Sequence, residues 1–248
     1  MRVFDLRKLN SATKYPSIPT YHELGARGIL QESGNPFKDH DGPVYVTEKI
    51  DGTNGRVICY EGAWIVGSRE ELLTASGDLI QNPAQGIVDA LLPWTNLLCD
   101  TEGQLVVFYF EVYGSKKLPA WKTYGDGSVS GVRLFDVATI SPQILTWDIE
   151  RIASWRDGGG QDFESFPLGW YGVETVPRIV SHAGKDLPET VADMHIFLQM
   201  VASDTRASLD PKGKPQRPEG LVLRTEDRKI IAKARYEDYE RVTKQRLR

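Results

Sequence analysis

The sequence predicts an α+β protein, with strands in antiparallel groups and helices segregated between those groups. Three short segments rich in β-branched and aromatic residues follow one another over residues 44–67, and a tight Glu61-Gly62 turn joins the last two. Segments of helical spacing occur further along the chain. With 248 residues, the chain is long enough to bury a sizeable core.

The individual elements are predicted from the spacing of apolar residues and from the glycine and proline residues that end them. Strands are predicted over residues 44–50, 55–60, 63–67, 105–113, 131–137, 173–180, 220–224 and 229–234. Helices are predicted over residues 84–92, 146–155, 188–202 and 236–246. The first helix is expected to end at Pro93, because proline lacks the amide donor that a helix interior needs. Three glycines at 158–160 resemble a linker, but we do not expect them to divide the chain.

Composition excludes several classes of protein. Hydrophobic residues make up 40% of the chain and charged residues 26%, which is typical of soluble globular proteins. The apolar runs are far shorter than the about 18 residues that span a membrane, and the N-terminus has no signal-peptide pattern. Cys59 and Cys99 are too few for a disulfide framework or a thiolate zinc site. We therefore expect a cytoplasmic protein in a reducing compartment, with no membrane partner.

Charge is distributed unevenly along the chain. The formal net charge of −4 argues against a protein that coats nucleic acid without specificity. Residues 205–248 nevertheless contain thirteen Lys or Arg against seven Asp or Glu. This excess suggests contact with the phosphates of a nucleotide or a polynucleotide, and a solvated charged helix face is the alternative interpretation.

One segment contains a candidate nucleophile. The sequence EKIDGTNG at residues 48–55 ends a predicted strand and enters a glycine-rich turn, where the backbone can approach a ligand closely. Lys49 lies there beside several polar groups, although a surface lysine before a common Asp-Gly turn is the structural alternative. Glu111, inside the apolar segment 105–113, is harder to explain structurally, because burying a carboxylate without a partner is costly.

This segment resembles motif I of the covalent nucleotidyltransferases, the superfamily of polynucleotide ligases and messenger-RNA capping enzymes. Five further segments resemble the later motifs in the expected order: Gly67-Ser68-Arg69, Phe110-Glu111-Val112-Tyr113-Gly114, Leu134-Phe135-Asp136, Glu219-Gly220-Leu221-Val222-Leu223-Arg224 and Lys233-Ala234-Arg235. Residues 14–18 (KYPSI) and 233–239 are similar to the RNA ligase 2 type of phage-related RNA ligases. The resemblance covers most of the chain.

The resemblance implies a nucleotidyltransferase fold, with two antiparallel sheets, flanking helices and ATP in the groove between the sheets. It also implies an ATP-dependent RNA ligase that acts on nicked or broken RNA in RNA repair. Lys49 attacks the α-phosphate of ATP and keeps AMP as a phosphoramidate. AMP then passes to an RNA 5′-phosphate, and that end is sealed to a 3′-hydroxyl.

Each motif implies roles for particular residues. Lys49 and Lys233 are expected to be catalytic, and Glu219 to bind Mg²⁺ or Mn²⁺, with Asp51 or Asn54 acting through water. The nucleotide site is expected to contain Glu48 near the adenine, Phe135 stacked on the base, Glu111 on the ribose, Arg69 near the sugar or a 5′-phosphate, and also Lys49, Asp51, Gly52, Asn54, Glu219, Lys233 and Arg235. Arg224 is interpreted as a surface residue at a strand end.

The nucleophile needs a lowered pKa, because a free lysine has a pKa of about 10.4 and is almost entirely protonated at neutral pH. Lys233, Arg235 and a divalent cation would supply the positive charge that disfavours the ammonium form. For RNA contact, Lys116, Lys117 and Lys122 interleave with Trp121 and Tyr124 as in strand-binding grooves. A plain solvated loop is the alternative.

Two departures from the family pattern qualify the resemblance. The second lysine of the last motif is replaced by Arg235, whose guanidinium is a planar fork instead of a point donor. The chain also ends thirteen residues after that motif, where such ligases carry a further C-terminal domain. We expect residues 1–248 to form a single adenylyltransferase domain, as a minimal enzyme or a catalytic fragment.

Two alternative functions stay open. A nucleotide-binding or adenylylation-only module that needs a separate RNA-binding partner chain is consistent with the short C-terminus. A DNA ligase or a capping guanylyltransferase is a weaker alternative, because those enzymes carry an appended oligonucleotide-binding fold.

Overall fold

The computed structural model of the chain describes residues 4–76, 86–99, 103–118, 120–168, 171–210, 212–214 and 216–246. The strands are β1 (Pro43–Lys49), β2 (Thr53–Tyr60), β3 (Ala63–Ser68), β4 (Leu72–Ala75), β5 (Leu105–Tyr113), β6 (Gly131–Ile140), β7 (Asp162–Phe163), β8 (Arg178–Ala183), β9 (Gly220–Thr225) and β10 (Ile231–Arg235). The helices are α1 (Leu6–Thr13), α2 (Ile87–Leu98), α3 (Trp121–Tyr124), α4 (Ile149–Asp157), α5 (Val191–Val201) and α6 (Tyr236–Arg246). The predicted α+β class is confirmed.

A four-stranded antiparallel sheet has the strand order β10-β9-β1-β8. Side chains alternate across its faces, as the two-residue period of a strand requires. One face is apolar and packs beneath α5 and α6, with a core that includes Val44, Val46, Leu221, Leu223 and Ala234. The opposite face carries polar and charged side chains that line a groove.

A six-stranded antiparallel sheet has the strand order β4-β3-β2-β5-β6-β7. On one face, Val57, Phe108 and Phe110 pack with Leu91 of α2. The other face is apolar near α1 and α4, and it turns polar toward the groove. The four-stranded sheet therefore has one core face and one groove face, whereas the six-stranded sheet has a core on each face and contributes only part of its second face to the groove.

Several predicted elements differ from the structure. α2 continues through Pro93 to Leu98, because its buried residues on both sides of Pro93, Leu91 and Leu98, pack in the core and compensate for the lost hydrogen bond. Its predicted start at residue 84 lies outside the described residues. α1, β4, α3 and β7 are elements that the sequence analysis did not predict, and all except α1 have four residues or fewer. The strand predicted over 173–180 lies instead at Arg178–Ala183.

The two cysteines form a disulfide bond that joins β2 to the end of α2. Both are almost fully buried, with Cys59 0% and Cys99 4% exposed. The cysteine count predicted a reducing compartment, where such bonds are rare, so this pairing does not follow from that argument. The described part of the chain contains no helix that is long and apolar enough to cross a membrane.

A buried ionic cluster joins the two sheets. Asp136 of β6 accepts hydrogen bonds from Arg224 Nη1 of β9 at 2.5 Å and from Arg228 Nε at 2.7 Å. The Tyr15 hydroxyl donates to the same carboxylate at 2.6 Å. Asp136 is 1% exposed and Arg224 3% exposed. The interpretation of Arg224 as a surface residue is therefore wrong: it is a buried connection between the sheets.

Asp136→Ala is expected to lower the free energy of unfolding by about 3–5 kcal/mol, because two guanidinium groups would be left buried without their carboxylate. Urea denaturation of the parent and the variant measures this difference. Glu237→Ala is the control: it removes an exposed pair with Arg241 on α6 and is expected to cost less than about 0.5 kcal/mol. Equal losses in both variants would contradict the role of the cluster.

Candidate active site

The groove between the sheets is a cavity of about 430 Å³. The four-stranded sheet contributes Thr47 and Lys49 from β1, Val222 from β9 and Lys233 from β10. The six-stranded sheet contributes Asn54, Glu111 and Phe135, and the N-terminal segment contributes residues 15–18. A groove with convergent charged groups and an apolar wall is the usual form of a small-molecule site.

The connection between β1 and β2 forms the base of the groove. β1 ends at Lys49, and the chain crosses to the other sheet within three residues. A Cβ atom on Gly52 would lie 2.4 Å from the Val112 carbonyl oxygen, so this crossing requires glycine. The Asp51 N–H donates to the Tyr124 hydroxyl at 2.6 Å, which fixes the turn against α3.

Lys49 pairs with Glu219, and the two side chains are only 24% and 22% exposed. Glu219 comes directly before β9, and antiparallel pairing places Lys49 opposite Gly220. Lys233 lies on the neighbouring strand opposite Val222. Burial, and then the positive charges of Arg235 and Lys49, lower the pKa of Lys233. The sheet register therefore brings both predicted catalytic lysines and Glu219 into one charged cluster.

Arg235 is held by a buried carboxylate. Its Nε donates to Asp238 Oδ2 at 2.8 Å and its Nη2 to Asp238 Oδ1 at 3.0 Å. The Asp238 side chain is 2% exposed. The planar fork thus binds Asp238 with two of its nitrogens, an arrangement that a lysine does not reproduce. Arg235 also lines the groove, so its charge is fixed in position.

The six-stranded sheet places Asn54 opposite Glu111 across the β2–β5 pair. Burial raises the pKa of Glu111 to about 8, while Lys49 acts against this rise. Glu219 and Asp51 raise it further, and a hydrogen bond from the Gly52 backbone lowers it. The buried Oδ1 of Asn54 has no hydrogen-bond partner among the described residues. Both side chains thus present polar atoms to the groove wall.

Phe135 lies on the apolar wall of the groove and is partly buried. Its ring makes an edge contact with Tyr15 at a centroid distance of 4.9 Å. Glu48 also borders the groove, but its carboxylate accepts hydrogen bonds from the Thr205 hydroxyl and from the Arg206 N–H. Burial raises the pKa of Glu48. Its predicted contact with adenine stays a prediction.

Arg69 lies at the outer end of the groove. Its side chain is 57% exposed, and its Nη2 donates to the Ser17 hydroxyl at 3.3 Å. Ser17 belongs to the KYPSI segment, which enters the sheet edge next to Lys233: the Lys233 N–H donates to the Pro19 carbonyl at 2.9 Å. The N-terminal segment therefore forms one side of the groove.

The three lysines predicted to bind RNA do not line the groove. Lys116 Nζ lies 5.6 Å and Lys122 Nζ 5.5 Å from the centre of the Trp121 ring. Trp121 begins α3, whose last residue, Tyr124, contacts the turn at Asp51. Lys116 and Lys122 therefore lie close to one aromatic ring, next to the base of the groove. Lys117 follows Lys116 in the same turn.

Sequence reasoning missed several groove residues. Tyr15, Thr47, Val176, Val222 and Ile231 all line it. Val222 and Thr47 are cross-strand partners that flank Lys49 and Lys233, so the strand register is the signal that would have found them. Val176 has no such signal, because it comes from a loop whose position depends on the tertiary fold.

No group of three His, Cys, Asp or Glu in the described ranges is arranged to hold a metal ion by protein ligands alone. This donor set still fits Mg²⁺ or Mn²⁺ bound together with a nucleotide, because Mg²⁺ keeps waters and uses one or two carboxylates plus substrate phosphates. Glu219 is the carboxylate in the lysine cluster, and Asp51 lies at the turn below it.

Two antiparallel sheets with flanking helices and a groove between them form the nucleotidyltransferase fold that the motif resemblance implies. The model of the RNA ligase family matches residues 42–239, and the chain therefore belongs to that family. Comparison with curated proteins gave no significant match.

Solved structures of a Naegleria gruberi RNA ligase are similar in fold. A lysine-to-alanine variant with ATP and Mn has a TM-score of 0.51 at 14% identity and covers 94% of this chain and 62% of the ligase. The ligase with pyrophosphate has a TM-score of 0.52 at 14% identity with the same coverage. Another lysine variant, with AMP and Mn, has a TM-score of 0.50 at 15% identity and covers 94% and 65%. This chain thus spans less than two thirds of the ligase.

Glu111 is expected to make stability depend on pH. Its pKa is raised in the folded state from 4.5 to about 8, so folding favours the protonated acid. The stabilisation is complete below pH 4.5 and is lost as pH rises to 8. Glu111→Gln should remove this loss, so its thermal midpoint should fall less than that of the parent over this range.

Thermal unfolding of parent and variant at a series of pH values measures the effect. Glu174→Gln, which changes an exposed carboxylate paired with Arg133, is the control and should follow the parent. Parallel curves for Glu111→Gln and the parent would contradict the buried, protonated state of Glu111.

Proposed function

We propose that this protein is an ATP-dependent RNA ligase with Lys49 as its covalent nucleophile. The observation that carries the proposal is the convergence of Lys49, Glu219 and Lys233 in one groove, within the segment that matches the RNA ligase family. The Naegleria ligase structures contain ATP, AMP, pyrophosphate or Mn, which supports a nucleotide and a divalent cation as ligands of this groove.

In the first step, Lys49 Nζ forms a bond to the α-phosphorus of ATP. The bond from that phosphorus to the oxygen bridging the β-phosphate breaks, and pyrophosphate leaves with the electron pair. Nζ begins as an ammonium and ends as an amide-type nitrogen with one hydrogen, so two protons pass to water. Negative charge gathers on the phosphoryl oxygens, where nearby cations stabilise it. Lys233 is the main cation of this kind among the groove residues.

Lys49 has to leave its ion pair with Glu219 before its nitrogen can attack. In the structure, Lys49 Nζ pairs with the Glu219 carboxylate. Glu219 would release Lys49 on binding a divalent cation, which leaves Lys49 Nζ beside the positive charge of Lys233. A divalent cation bound through Glu219 would neutralise phosphate charge as a Lewis acid.

The remaining groove residues hold the nucleotide. Phe135 offers an aromatic face for the base, and Glu111 and Asn54 present polar atoms suited to ribose hydroxyl groups. Arg69, at the exposed end, suits a sugar or an incoming 5′-phosphate. Glu48 and Gly52 also line the groove.

In the later steps, AMP moves from Lys49 to the 5′-phosphate of an RNA end. A 3′-hydroxyl then attacks that phosphate and releases AMP. Lys116 and Lys122 beside Trp121, with Lys117 next to Lys116 in the chain, are suited to hold the RNA strand, because ammonium groups bind phosphates and an indole stacks on bases.

Lys49→Ala is expected to abolish the covalent AMP adduct, because the attacking nitrogen is absent. Intact-mass measurement after incubation with ATP and magnesium should show one added AMP on the parent and none on the variant. Lys229→Ala, which changes an exposed lysine outside the groove, is the control and should retain the adduct. An adduct on Lys49→Ala would disprove the assignment of the nucleophile, and a reaction with GTP alone would indicate a capping enzyme.

Arg235→Ala is expected to impair RNA sealing more than formation of the AMP adduct. The adduct on Lys49 should still form, because Lys233 retains its charge beside it. Sealing of nicked RNA should fall by about tenfold to hundredfold, because we expect the charge of Arg235 to bind the RNA 5′-phosphate in the later steps. Single-turnover adenylylation and gel-based sealing assays measure the two rates. Arg241→Ala, on the exposed pair of α6, is the control. Equal loss of both rates would contradict the separation.

A further inference from the structure

A second cavity, of about 600 Å³, opens beside the groove. We call it the α1 pocket, because Arg7, Asn10 and Ser11 of α1 line it. It shares Tyr15, Pro16, Ser17 and Arg69 with the groove, so the two cavities are continuous along the KYPSI segment. The motif resemblance assigns no function to α1 or to α4, which forms the opposite wall.

The α1 pocket is lined by more positive than negative groups. Arg7, Lys14, Arg69 and Arg156 line it, against the carboxylates of Glu70 and Asp157. Both carboxylates are exposed, at 66% and 61%. Exposed ion pairs contribute little free energy, so an entering anion can replace Glu70 at small cost. Asp157 holds the nearly buried Arg156 by two hydrogen bonds, at 2.8 and 2.9 Å.

Glu70 pairs with Lys14 and Arg69, the two cations of the α1 pocket that lie nearest the groove. Its Oε2 lies 2.7 Å from Lys14 Nζ, and its Oε1 lies 3.7 Å from Arg69 Nε. Lys14 lowers the pKa of Glu70. Two cations around one exposed carboxylate form a site whose geometry also suits a phosphate group.

A buried arginine lies beneath this pocket. Arg56 of β2 is 0% exposed, and it has no ion-pair partner within the part of the chain that the structure describes. Its Nη2 donates to the side chain of Asn10, which lines the pocket, and its Nε has no hydrogen-bond partner. Burial lowers the pKa of Arg56 to about 10, Tyr109 and the carboxylate of Glu70 act against this, and the charge of Arg156 acts with it. A buried charge without a directly paired carboxylate is costly, and an anion above Asn10 would reduce that cost.

We propose that the α1 pocket binds phosphate groups of the polynucleotide whose end enters the groove. The inference rests on the proposed function, because it places the strand by continuity with the site of Lys49. A strand that passes Arg69 and Ser17 continues directly between α1 and α4. Arg7 and Arg156 would bind its phosphates. Glu70 would release Lys14 and Arg69, which would then bind phosphates as well.

Two substitutions of opposite sign test the proposal. Arg7→Glu reverses an 83% exposed charge, so the fold should be retained, and it is expected to weaken binding of a short 5′-phosphorylated RNA about fivefold. Glu70→Gln frees Lys14 and Arg69, and it is expected to tighten binding by a similar factor. The slope of log affinity against log salt should become shallower by about 0.7 for each phosphate of a single strand that the variant no longer binds.

Lys229→Glu is the matched control. Lys229 is also 83% exposed and also pairs with an aspartate two residues away, but it lines neither cavity. It should bind RNA as the parent does. Fluorescence anisotropy with the same RNA gives all four affinities, and a 5′-hydroxyl form distinguishes the terminal phosphate from phosphates of the backbone.

The outcomes separate the two proposals. Unchanged RNA affinity in Arg7→Glu, or equal weakening in Lys229→Glu, would overturn the assignment of the α1 pocket. A higher KM for ATP with unchanged RNA affinity would also overturn it, because the pocket would then serve the triphosphate. AMP adduct formation, measured in parallel by intact mass, tests the proposed function alone: its absence from the parent would leave the RNA-binding result standing.

Discussion

The groove depends on one covalent constraint, the crossing of the chain from one sheet to the other between Lys49 and Thr53. Because β1 and β2 belong to different sheets, the three residues between them fix how far apart the sheets lie at this end. The close approach of Gly52 to the Val112 carbonyl shows how little room the crossing leaves. Lys49 is the last residue before it, so its side chain begins where the two sheets meet.

In the four-stranded sheet, the strand register determines which side chains lie next to Lys49. Gly220 pairs with Lys49 on one side and Arg235 on the other, and a Cβ on Gly220 would lie 2.0 Å from the Ala234 carbonyl oxygen. This close packing of three backbones brings Glu219 to Lys49 and places Arg235 within the same cluster. The Asp136 cluster then fixes the sheets at a second point, between β6 and β9. Two separate attachments hold the groove open at a defined width.

The sequence predicted the elements whose pattern is locally complete. β5 and α6 match the predicted bounds, because an apolar run of nine residues and a charged helix after Arg235 need no tertiary information. The prediction that α2 ends at Pro93 was wrong, because burial of its apolar face outweighs the loss of the hydrogen bond that proline cannot donate. Motif resemblance predicted that Lys49, Glu219 and Lys233 belong to one site. Asp136 and Arg224, in contrast, are charged residues of the kind that usually lies on the surface, and only the packing of the two sheets buries them.

Charge balance links these observations to function. The chain is acidic overall, yet several Lys and Arg side chains line the groove and the adjoining α1 pocket, among them Lys233, Arg69 and Arg156. In these two cavities, the carboxylates of Glu219 and Glu70 pair with Lys49 and Lys14. An acidic protein that pairs its cations internally repels polyanions except where a phosphate can replace a carboxylate with better geometry. The proposed binding of phosphates in the groove therefore follows from how this fold distributes and neutralises charge.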